Sequence, residues 1–173
     1  MPANNTTSLD EAAFELTRVF NAPRELVFKV WTEPDHLSQW WGPTGFELGV
    51  AKMDPRPGGV FHYSMRSPEG FEMWGRIVYL EIDAPEKLVF TTSFSDADGN
   101  ITRHPSSETW PLVVESTLVF TEQDGKTTIA MRGIPVDATE EEVRTFLEGH
   151  SSMQQGFGGT FAQLEAYLER VQA

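Results

Sequence analysis

Apolar positions along this chain change period twice. Phe14, Leu16 and Phe20 alternate with polar or smaller residues, with Arg18 in the same phase, and predict a first strand over 14–20. Leu26, Val27, Val30 and Trp31 then share one helical face, preceded by Asn21 as a candidate cap and Pro23 in the first turn. Pro34 opens a second short helix with Leu37, Trp40 and Trp41 on one side, ended by Gly42-Pro43. From Phe46 the period becomes two. Strands are expected over about 46–54, 59–66, 71–82, 86–94, 112–122 and 126–134, separated by Pro- and Gly-rich breakers. Asp124-Gly125 is a strong hairpin signal. One connection is long, polar and aperiodic: Ser95 to Thr109, the length of a lid or gate.

The last third returns to helical spacing. Val143, Phe146, Leu147, Met153, Phe157, Phe161, Leu164, Leu168 and Val171 form one stripe, predicting a single long helix from Thr139 to Val171. Thr139 and Glu142 have capping-box spacing at its start. Gly149, Gly156, Gly158 and Gly159 lie inside it, each costing about 1 kcal/mol against alanine. Either close approach to a sheet or room for a ligand would offset that cost. The order strand, two helices, six strands, long helix gives an α+β fold: a curved antiparallel sheet of about seven strands around the terminal helix.

Length and charge narrow the reading. At 173 residues one domain is expected, covering 13–173, with residues 1–12 as a disordered polar tail. Thirteen basic against 26 acidic residues leave a net charge of −13, and no Lys/Arg cluster offers a surface for nucleic acid or anionic membrane. Cysteine is absent, which removes disulfides and thiolate chemistry. No run approaches the roughly 20 apolar residues of a membrane span, and the N-terminal residues lack a signal-peptide pattern. A cytoplasmic protein, monomer or homodimer, is the expectation.

Several ordered segments resemble a known family. They are Arg18 to Phe28 (RVFNAPRELVF), Trp31 to Leu37 (WTEPDHL), Trp40-Trp41-Gly42-Pro43, Arg56 to Gly59, Val78 to Ile82, Pro85 to Phe90, Glu148 to Phe157 and Leu164 to Leu168. Together they are similar to Aha1-type (activator of Hsp90 ATPase homologue-like) domains of the START-like, Bet v 1-like SRPBCC (polyketide cyclase-like) superfamily. The likeness spans about residues 14–170. It implies the helix-grip fold, with a cavity between sheet and C-terminal helix that takes lipids, hormones or polyketides in members of the superfamily. It also implies two alternatives: an enzyme or sequestering resistance protein of the cyclase type, and a module that binds an Hsp90-type chaperone, ranked last.

Candidate chemistry is sparse. No nucleophile elbow, zinc or iron ligand spacing, or phosphate loop is present, so no catalytic residue, metal or cofactor is assigned. Asp96-Ala97-Asp98-Gly99-Asn100 lacks the further ligands of a calcium loop and reads as a turn. His62 is out of phase with Phe61, Tyr63 and Met65 and is expected to face solvent. What remains is an apolar interior. Its expected cavity lining is Trp40, Phe61, Tyr63, Met65, Met73, Trp74, Trp110, His150, Met153, Phe157 and Phe161, with Trp41 near a mouth. Tyr63, His150 and Arg76 are the expected polar handles, and the expected partner is a small apolar, lipid- or polyketide-like molecule.

Overall fold

The computed structural model describes residues 12–41, 45–104 and 107–172; the expected tail, apart from Ala12, and the Gly42-Pro43 stop lie outside these residues. Seven strands form one fully antiparallel sheet: β1 (Phe14–Phe20), β2 (Glu47–Met53), β3 (Val60–Arg66), β4 (Glu72–Asp83), β5 (Lys87–Ser95), β6 (Val114–Gln123) and β7 (Lys126–Pro135). Their spatial order is β1-β7-β6-β5-β4-β3-β2, so β1 closes onto β7 while the other strands follow as a meander. The β6–β7 turn carries Asp124 and Gly125 at φ of 55° and 76°, the doubly left-handed geometry that suits strand twist.

Between β1 and β2 lie α1 (Arg24–Thr32) and the single turn α2 (Pro34–Leu37). Asn21 does not cap α1. Pro23 occupies the cap position without a side-chain bond, and the Arg24 amide donates instead to Glu122 Oε1 of β6 at 2.7 Å. A carboxylate from the sheet therefore serves the positive end of the helix. Trp31 of α1 is the hub of the packed core. Its ring lies 4.7 Å from Trp40, 6.1 Å from Phe161 and 6.4 Å from Phe90 and Phe120.

The terminal stripe folds as two helices rather than one, α3 (Glu140–Glu148) and α4 (His150–Gln172). The capping box of Thr139 and Glu142 is formed. The break falls at Gly149, where an added Cβ would stand 2.7 Å from the Trp110 ring. Close approach thus explains Gly149, and the neighbour is a loop tryptophan rather than a strand. Gly156 and Gly158 have open space where a Cβ would be. Close packing does not explain those two. Phe161, Leu164, Tyr167 and Leu168 bury the C-terminal half of α4, and Val171, expected on the stripe, is exposed.

Both ends of α4 are pinned near β1. His150 Nε2 lies 2.7 Å from the Ala12 carbonyl oxygen, and Gln172 Nε2 donates to the Asn21 carbonyl at 3.0 Å. Ala12 is fully buried.

The two glycines should respond oppositely to alanine. Gly156→Ala should gain about 0.5–1 kcal/mol, because a helical glycine is replaced where nothing obstructs a methyl group. Gly149→Ala should lose about 1–3 kcal/mol by overpacking against Trp110. Urea unfolding of the two variants beside the parent chain reads both signs.

Candidate functional site

Inward positions on the central strands alternate between large rings and unusually small residues. Paired neighbours in the sheet share a face. Tyr63 therefore faces inward beside Gly75, Thr92 beside Val114, and Phe90 beside Ser116, which is followed by Gly133. Gly75, Thr92, Ser116 and Gly133 keep the floor low, and the N-terminal half of α4 does not descend to fill it. The result is a cavity of about 230 Å³ between sheet and helix.

Met153 and Phe157 of α4 form the roof. Phe14, Met131 and Val114 close one flank, and Trp110 with Pro111 close the end beneath α3. On the other flank stand Trp41, Tyr63 and Met65. These three, with Met153 and Phe157, also border a more open pocket of about 200 Å³ that reaches Gly156 and Thr160. The second pocket is the mouth of the first, and Gly156 stands on its rim.

Hydroxyl-bearing residues, Tyr63, Thr92, Ser93 and Ser116, border this space. Thr92 Oγ1 donates to the Val114 carbonyl at 3.4 Å, and Ser116 is buried on the floor. Tyr63 lies across Gly75, where a Cβ would come within 2.7 Å of both Cζ and the phenol oxygen. Burial pushes the Tyr63 hydroxyl up to about 12, partly offset by a hydrogen bond with the Trp41 side chain. Burial also drives Tyr79 upward, and its hydroxyl sits 3.8 Å from the Met53 sulfur. Neither phenol ionises near neutral pH.

Of the expected lining, Tyr63, Met65, Trp74, Trp110, Met153 and Phe157 border the chamber. Five others lie elsewhere. Trp40 is sealed in the core with its indole N–H donated to the Val30 carbonyl at 3.0 Å, and its neighbour Trp41 borders the chamber instead. Phe61 is fully buried against Tyr63, with rings 4.7 Å apart, and Phe161 is fully buried against Phe20 and Trp31. Met73, paired in register with Met65, borders a separate cleft with Phe71 and Arg103. His150 is edge-on to Phe14 and Phe146 and bound to Ala12, so it is a fastener for the N-terminal segment rather than a cavity handle.

The outer face of the sheet holds two further corrections. His62 points away from the chamber as its phase demands, yet it is buried rather than solvent-facing. The 96–100 turn covers it: Nε2 lies 3.1 Å from the Asp96 carbonyl oxygen, and the Trp74 ring lies tilted against it at 4.9 Å. Trp74 thus borders the chamber while its ring belongs to the other face. Arg76 pairs in register with His62 and donates to the Gly99 carbonyl at 2.9 Å, so it is no cavity handle. Asp96 accepts from the amides of Asn100 and Asp98, mainly the former, which holds its carboxyl below the usual range; the stretch is a turn, as expected.

The long connection continues as a strap tied to α3. Arg103 donates to Glu142 and to the Trp110 carbonyl, and the Thr145 hydroxyl bonds that of Thr109 at 2.9 Å. His104 sits 4.7 Å from Phe94 and 6.0 Å from Trp110, and burial lowers its pKa. The closed end of the chamber thus depends on this strap. Residues that the sequence reading missed, such as Ser116, Gly133, Gly75 and Thr92, share one signal. They are small residues in inward phase on strands otherwise carrying Phe, Val and Met.

Compared with protein families, the chain matches Activator of Hsp90 ATPase homolog 1-like protein over residues 21–169. Among solved structures, it is similar to a protein of Mycobacterium smegmatis at 27% identity and TM-score 0.73, with 95% of this chain and 96% of the other covered. A protein of Arthrobacter aurescens aligns at 23% identity and TM-score 0.77, covering 95% and 90%. The AHSA1 protein of Silicibacter pomeroyi aligns at 21% identity and TM-score 0.64, covering 91% and 97%. No curated protein matches. Among the described residues, no helix is long and apolar enough to cross a membrane, and no group of His, Cys, Asp or Glu is arranged to hold a metal ion.

The strap makes the chamber's closed end sensitive to acid. The Arg103 bond, then the Thr139 amide, hold the Glu142 carboxyl below its ordinary value. Its folded-state pKa is depressed, so its contribution is complete above the usual carboxylate range and lost as pH falls through the lowered value. Glu142→Gln should flatten that acid limb and leave the slope near neutral pH unchanged, as read from thermal unfolding across a pH series.

Proposed function

As the chain belongs to the activator of Hsp90 ATPase homolog 1-like family, matched over residues 21–169, we propose that it is a binding domain for a small apolar, lipid- or polyketide-like molecule. The ligand lies between the curved sheet and α4 and enters past Gly156. One observation carries this reading: the chamber is walled by Phe, Met, Trp and Val, and a mouth of the same chemistry leads to it. Mid-sheet Gly75, Thr92, Ser116 and Gly133 leave apolar packing unfilled, a cost that a ligand offsets.

Size limits the occupant. About 230 Å³ falls below the roughly 300–1,000 Å³ of drug-sized sites, so the ligand is small or extends a tail into the mouth. Tyr63, held neutral by burial, is suited to donating a hydrogen bond and not to accepting a proton. His150, the other residue considered for proton handling, is bound to Ala12 away from the chamber. Those two placements favour binding over a cyclase role for these residues.

The test is titration with medium-chain apolar molecules, followed by Trp fluorescence and thermal unfolding. Binding should raise Tm and change the emission of Trp41 or Trp110, both of which border the chamber. Ser116→Phe should fill the floor and abolish the response, while Ser116→Ala should retain it. Absence of any shift in the parent, or undiminished binding by folded Ser116→Phe, refutes the reading.

A further inference from the structure

Among the described residues, neither chamber nor mouth is lined by a Lys, Arg, His, Asp or Glu. The residues outside the described segments contain no Lys, Arg or His to supply a cationic side chain. Arginines on adjacent elements are engaged elsewhere: Arg18 with Glu165 and the Gly158 carbonyl, Arg103 with Glu142, and Arg76 on the opposite face of the sheet. The whole chain carries a net charge of −13. A carboxylate or phosphate entering this space would leave water without a counter-charge and against the field of the protein.

What the space offers is a neutral donor. Tyr63 borders both chamber and mouth, and the absence of a side chain at Gly75 beneath its ring gives the phenol its seat. The Trp41 ring meets the phenol ring edge-on at 6.2 Å, and an indole N–H can only donate, so the phenol hydrogen is left to give.

Resting on the reading of this cavity as a ligand site, we propose that it selects uncharged apolar molecules bearing a hydrogen-bond acceptor, such as ketones or esters, over their carboxylate counterparts. The Tyr63 hydroxyl donates to that acceptor at the junction of chamber and mouth. The group is thus a specificity determinant, placed where a ligand's polar end meets the doorway and its hydrocarbon part lies on Phe157, Met153 and Met131.

Calorimetric titration at neutral pH with 2-undecanone, methyl decanoate, decanoate and undecane tests this directly. The ketone and ester should bind at least about tenfold more tightly than decanoate, the difference expected when a buried charge lacks a partner. Tyr63→Phe should weaken the ketone about three- to tenfold, the worth of one hydrogen bond, while leaving undecane unchanged. Decanoate binding as tightly as its ester, or Tyr63→Phe weakening ketone and undecane alike, overturns the selectivity while the binding site stands. If none of the four binds the parent chain, the ligand-site reading fails and the selectivity falls with it.

Discussion

One helix laid across a curved seven-stranded sheet cannot touch it closely along its whole length, and the architecture follows from that mismatch. At the C-terminal half of α4 the gap is filled by side chains. Phe161 and Leu164 meet Trp31, Phe20 and the rest of the aromatic cluster, all fully or almost fully buried. At the N-terminal half, the helix offers Met153, Phe157 and, at the mouth, Gly156, above a floor of small residues. The stable end and the hollow end belong to the same helix. Trp31 organises the filled end even though its own indole N–H is buried without a partner. Packing on five rings outweighs that one lost hydrogen bond.

The hollow end is closed by loop, not by sheet. Trp110 and Pro111 are carried by the connection between β5 and β6, which is fastened to α3 through Arg103–Glu142 and Thr109–Thr145. Glu142 has two duties, since its other oxygen accepts from the Thr139 amide in the capping box. The residue that starts α3 therefore also holds the strap. The glycines divide along the same line. Gly149 is a packing glycine, set by Trp110, whereas Gly156 is a doorway glycine.

Strand phase, turn chemistry and the capping box were legible in the chain, so the antiparallel sheet, its hairpins and the terminal helical stripe could be placed within a residue or two. The fold class followed. The interior was less legible because phase tells which face a side chain takes and not what lies on that face. His62 has the correct outward phase, but a turn thirty-odd residues on in the chain covers it. Trp40 and Trp41 are adjacent rings just beyond the short α2, and only packing against Val30 and Trp31 decides that the first is core and the second borders the chamber. Glu122 as the cap of α1, and Trp110 as the reason for Gly149, are contacts between distant segments with no local signature. The cavity itself was hidden in what the strands lack. A glycine, serine or threonine at an inward position reads as a weak strand residue until its neighbours are known.

The closure of β1 onto β7 carries a consequence for the order in which this chain can become a protein. Phe14 faces Gly133, and Phe20 faces Thr127, so among the described residues the first strand finds its sheet partner more than a hundred residues later. The ring cluster around Trp31 gains its lid still later, when Phe161 arrives. A nascent chain emerging from the ribosome therefore displays Trp31, Trp40 and Trp41 well before Phe161 exists to cover their cluster. For this molecule the vulnerable interval is the time of synthesis, and its length is set by where in the gene the final helix is written.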